Sequence, residues 1–191
     1  MLRNLFGLVV LVGAASVAGC TEVEVKEGRP TIGGPNTTHP KNTREQDLID
    51  RVQKDPKDHV AWFELGQFYY DGGEWEKAAL AYQNGNNLMC PDPDKASYTG
   101  GYFCLALTYV HMKPARYDLA MKNLDMIARL EPRDPKTASF NPNFREAHRI
   151  RGAIYYYNNN PKPAKNEFLK YLELGGDEGE VSDVLESLKD E

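Results

Sequence analysis

Clustered positive charge is absent from this sequence, and with it the usual means of holding nucleic acid. The 191 residues carry 23 Lys and Arg against 28 Asp and Glu, a formal charge of −5, and no segment gathers the cations together. Phosphate backbones are held by grouped cations that displace counterions, so nucleic acid is not an expected partner. Long apolar runs are missing too: residues 5–17 (LFGLVVLVGAASV) fall short of the roughly 20 that a membrane-spanning helix needs. Catalytic and metal signatures are equally sparse. There is no G-x-S-x-G, P-loop or H-E-x-x-H spacing, and His39, His59, His111 and His148 stand in no zinc-site pattern. Carboxylate pairs such as Glu74 and Glu76 read as a solvated helix face. The expectation is a protein without enzymatic activity, metal or cofactor.

What is present begins at the N-terminus. One positive charge, Arg3, precedes the apolar run and small residues follow it, the proportions of a secretory signal. The run ends in Val17-Ala18-Gly19-Cys20, which resembles the bacterial lipobox, where a branched apolar residue and two small ones precede an obligatory Cys. Small residues let a peptidase approach the backbone, and the Cys thiol receives the diacylglyceryl group. The resemblance implies removal of residues 1–19 as a signal peptide and lipidation of Cys20. Thr21 rather than Asp after the Cys implies sorting to the outer membrane, facing the periplasm. Residues 21–43 hold three Pro, three Gly and little to bury, so they read as a tether with a root-mean-square span of roughly 25–30 Å.

Beyond the tether the sequence repeats itself. Trp62, Leu65, Gly66 and Tyr69 fall at i, i+3, i+4 and i+7, one stripe of a helix that ends at Asp71-Gly72-Gly73. A second helix carries Trp75, Ala78, Ala79, Tyr82 and Gly85, and the small residues let the two approach closely. This pattern resembles the tetratricopeptide repeat (TPR), W-x2-L-G-x2-Y followed by A-x3-F. Tyr102, Leu105, Ala106 and Tyr109, then Tyr117, Ala120, Leu124 and Pro132, form a second copy with a two-residue insertion near 111–115. Gly152, Tyr155, Ala164 and Phe168 form a third, in which His148 and Arg151 replace the large aromatic and the Leu, so its first helix is expected to pack less well. The resemblance implies an all-α fold, a short TPR-type superhelix of three repeats at about 59–92, 99–132 and 145–176. A helix at 44–54 with Leu48, Ile49 and Val52 precedes them, and a capping helix at 180–189 with Val181, Val184 and Leu188 closes the domain of residues 44–191. The connections at 90–98 and 132–144 exceed an ideal repeat, and read either as recognition surfaces or as tolerated insertions.

In TPR arrays the first helix of each repeat lines the inner face. The resemblance therefore implies a protein-binding groove of Phe63, Gln67 and Tyr70, then Phe103, Leu107 and Val110, then Arg149, Ala153 and Tyr156. Rigid aromatics are typical interface anchors, which suits a protein or peptide partner. The resemblance to TPR lipoproteins implies a membrane-anchored scaffold or adaptor for a protein or peptide of the cell envelope, in envelope, pilus or secretion assembly. The Lys and Asn clamp of chaperone-binding relatives is not matched, because Phe63, Gln67, Phe103 and Leu107 occupy those places. The alternative is a self-associating structural lipoprotein, with the stripe covered by the 44–54 helix or by another copy in a homo-oligomer. Cys90 and Cys104 are either a disulfide staple between the first two repeats or two free thiols, since pairing needs Cα atoms within about 4.4–6.8 Å.

Overall fold

Apolar residues at helical spacing, punctuated by Gly, Asn and Pro, give nine helices among the described residues of the computed structural model, 43–89, 99–133 and 135–189. The signal, Cys20, nearly all of the tether and Cys90 lie outside the described residues. The helices are α1 (Thr43–Lys54), α2 (His59–Asp71), α3 (Trp75–Met89), α4 (Gly100–His111), α5 (Tyr117–Leu130), α6 (Pro135–Ala138), α7 (Pro142–Tyr157), α8 (Pro161–Glu173) and α9 (Glu178–Ser187). Their starts follow from capping chemistry. Asp58, Asn141 and Asp177 each accept a hydrogen bond from a first-turn N–H, satisfying a donor that the helix itself cannot. Pro opens α7 and α8, where its missing N–H costs nothing.

The turns repeat as the sequence does. After α2, Gly73 (φ 72°) donates to the Tyr70 carbonyl at 3.0 Å and Glu74 to the Tyr69 carbonyl at 2.8 Å. After α7, Asn159 (φ 57°) donates to Tyr156 at 3.0 Å and Asn160 to Tyr155 at 2.9 Å. Both are the left-handed Schellman stop, filled once by Gly and once by Asn, the residue next best suited to that conformation. The second pair keeps the closing bond across its longer turn, from Arg116 N–H to the Tyr109 carbonyl at 2.9 Å.

Consecutive helices pair antiparallel as α2–α3, α4–α5 and α7–α8, and the pairs stack through α3–α4 and α5–α7. Helix α1 leans on α2, and α9 on α8. This all-α arrangement of consecutive antiparallel pairs is consistent with a helical-repeat fold, and its packing recurs at side-chain level. A Cβ added to Gly66 meets the Tyr82 ring at 2.5 Å; one added to Gly152 meets the Phe168 ring at 2.7 Å. The middle pair replaces that contact with Ala106 and Leu124, both fully buried.

Three apolar clusters run along the array. Leu48, Val52, Leu65 and Tyr82 belong to the first; Tyr102, Leu124, Phe144 and Ile150 to the second; Phe168, Tyr171, Val181 and Leu188 to the third. Two expectations change here. The 132–144 connection contains the short helix α6, and α7 begins at Pro142, ahead of the expected 145. Nor is α7 loosely packed: Phe144, Ala147, Ile150 and Ile154 are all buried, and His148 and Arg151 are held by carboxylates instead of by apolar contact.

Candidate interaction surface

Helices α2, α4 and α7 place the expected groove residues in two classes. Phe63, Phe103, Val110, Arg149 and Ala153 are buried among the chain's own helices; Gln67, Tyr70, Leu107 and Tyr156 are half-buried. The stripe is therefore only partly open. Phe63 shows why. Its ring fills the space beside Gly85 of α3 and Gly101 of α4, 3.2 Å from where a Cβ on either would stand. A large ring opposite two glycines is a wedge between the first and second pairs, so it cannot also face a ligand. Helix α1 supplies Leu48 and Val52 to this same cluster.

Three of the four half-buried residues have polar or aromatic partners within the chain. Gln67 donates from Nε2 to Asp71 at 2.7 Å and accepts from the Tyr82 hydroxyl at 3.1 Å. Tyr70 packs edge-on to Trp75 (5.2 Å) and to His111 (5.8 Å), while Trp75 and His111 stack at 5.3 Å. Burial in this aromatic cluster pushes the Tyr70 hydroxyl up to about 12 and pulls the His111 imidazole down. Tyr156 lies near α9, its hydroxyl 3.4 Å from Ser187 Oγ.

Arg149 is the one cation in the stripe, and its charge is spent inside the protein. Its Nε lies 2.8 Å from Glu146 and 3.3 Å from Glu180, so it ties α7 to the first turn of α9. Tyr171 of α8 donates to the same Glu180, and burial together with that bond raises its hydroxyl pKa. Cys104 is buried and disulfide-bonded.

A second polar cluster was not singled out in the sequence beyond His148 itself. His148 Nδ1 lies 2.6 Å from Glu167 and Nε2 2.7 Å from Glu131. Arg151 reaches Glu167 at 3.1 Å and Asp125 at 3.4 Å, and Lys170 reaches Glu131 at 3.5 Å. The available signal was a His at a repeat position that the pattern fills with a buried aromatic, since a buried polar ring needs partners. Among the described residues, no three His, Cys, Asp or Glu side chains are arranged to hold a metal ion, and no helix is long and apolar enough to cross a membrane.

No protein-family model, curated protein or solved structure matches the chain.

Proposed function

We propose that the chain is a lipid-anchored TPR protein that acts without enzymatic activity, holding a protein or peptide of the cell envelope on its stripe of Gln67, Tyr70, Leu107 and Tyr156. One observation carries the reading most: signature residues meet in the same way in the first and third pairs, Gly66 on Tyr82 and Gly152 on Phe168. Arrays of this kind present extended surfaces built from successive first helices. Phe63, Phe103 and Val110 form the frame behind that surface rather than the surface itself, and Arg149 anchors the closing helix. The anchor rests on Val17-Ala18-Gly19-Cys20, with lipidated Cys20 at the periplasmic face of the outer membrane.

The test is capture from detergent-solubilised envelope by the parent and by a Tyr70→Ala, Leu107→Ala, Tyr156→Ala variant whose helical circular dichroism matches the parent. Loss of contact anchors is expected to weaken a retained partner roughly 30-fold, the equivalent of about 2 kcal/mol at an interface hot spot. Equal retention by both proteins removes the stripe from the reading.

The competing reading is a self-associating structural lipoprotein, favoured by the exposed Leu80 (61%), Phe140 (80%) and Leu169 (51%). Light scattering separates the two. A mass that grows with concentration, with no partner captured, places self-association first.

A further inference from the structure

The polar cluster at His148 lies at the junction of two helix pairs. His148 is on α7 and Glu167 on α8, while Glu131 directly follows α5, so one imidazole bridges the third pair to the second. The geometry favours the doubly protonated ring. A carboxylate only accepts hydrogen bonds, and a neutral imidazole carries one N–H and one lone pair. Ring nitrogens 2.6 Å and 2.7 Å from two carboxylate oxygens are both satisfied only when both carry a proton. Removing one sets a nitrogen lone pair against a carboxylate oxygen, in a place where the three side chains are only 10–14% exposed. Low exposure makes that repulsion costly.

The surrounding charges point the same way. Facing the imidazole and its partners are Asp125 and Glu131 from α5 and its end, Arg151 from α7, and Glu167, Lys170 and Glu173 from α8. Carboxylates therefore outnumber cations even with His148 charged, and the excess grows when it is neutral. Burial pulls the imidazole down, but the hydrogen bonds to Glu167 and Glu131 outweigh it and hold its pKa above the ordinary value.

We propose that His148 is a proton-operated clasp: its imidazolium helps hold the α7–α8 pair against α5, and loss of the proton as pH rises loosens that contact. A group whose pKa is raised by folding contributes its full stability below its ordinary value and loses it as pH climbs through the folded one. His111 has the opposite sign, since burial lowers its pKa, so a global melting curve mixes the two. The readout must be local.

Hydrogen exchange of the whole chain, followed by mass spectrometry between about pH 5.5 and 8.5, supplies it. Opening equilibria for α7 and α8, corrected for the intrinsic exchange rate, are expected to rise several-fold across this range. In His148→Gln the rise in α7 and α8 is expected to disappear, because Gln donates through one amide group and does not titrate. A parent with no such rise, or a variant that keeps it, overturns the proposal. Should His148→Gln fail to fold, a pH titration of the parent's His148 ring followed by its nitrogen-15 shifts decides instead. Two N–H-type nitrogens that persist above the ordinary midpoint of about 6.5 support the clasp, and a midpoint at or below it rules the clasp out.

Discussion

Phe168→Ala is expected to cost about 3–5 kcal/mol, the largest single loss from the third pair. The ring is fully buried, and it rests directly on the α7 backbone at Gly152. Its neighbours cannot close the gap. Ala153 and Ala164 are too small to reach into it, and Tyr171, Val181, Val184 and Leu188 are already committed to the same cluster. Part of the cost is lost transfer energy and part is the cavity that remains. Domains are stable by about 5–15 kcal/mol in total, so a loss of this size removes about a fifth or more of that stability. Urea unfolding measures it: a midpoint shift with unchanged slope reports the stability itself, and a broadened or two-step transition reports the third pair melting ahead of the first. A loss below about 1 kcal/mol would show that the ring is not the wedge between α7 and α8.

The fold was legible because its information is local. Trp62 to Tyr82 and Gly152 to Phe168 spell helix–turn–helix pairs through period, small residues and stop signals, and the structure places those pairs next to each other in chain order. The site was harder to read, because whether a position faces ligand or neighbour depends on what stands opposite it on another element. Phe63 was assigned to the groove by its place on α2, yet Gly85 and Gly101, from two later helices, open the slot that takes its ring. Arg149 likewise has a place in the groove by its position on α7, and Glu180 from α9 turns it into an internal tie. The His148 cluster follows the same logic. Replacing a large aromatic by His announced a departure at that position, but Glu131 and Glu167 come from separate elements, and no spacing within one helix links them.

Gly66→Val is expected to cost about 3 kcal/mol, at the upper end of the penalty for overpacking a tight core. The Cβ alone would stand 2.5 Å, 2.7 Å and 2.9 Å from three carbons of the Tyr82 ring. That ring cannot swing aside, because it is 1% exposed, packs on Phe63 and donates from its hydroxyl to Gln67. Either α2 and α3 move apart, opening voids along the pair, or the ring leaves its rotamer. The opposing effect is smaller: Gly is a poor helix residue, and replacing it recovers less than about 1 kcal/mol of propensity. Close approach, rather than backbone freedom, is therefore why Gly stands here, since its φ is not left-handed. A double-mutant cycle separates the two explanations. With Tyr82→Ala in place the Val methyls gain room, and Gly66→Val should then cost about 1–2 kcal/mol less than in the parent. An unchanged cost would mean that Gly66 serves the backbone of α2 and not the contact with α3. The same packing logic would then lose its support at Gly152 and Phe168, where the third pair repeats it.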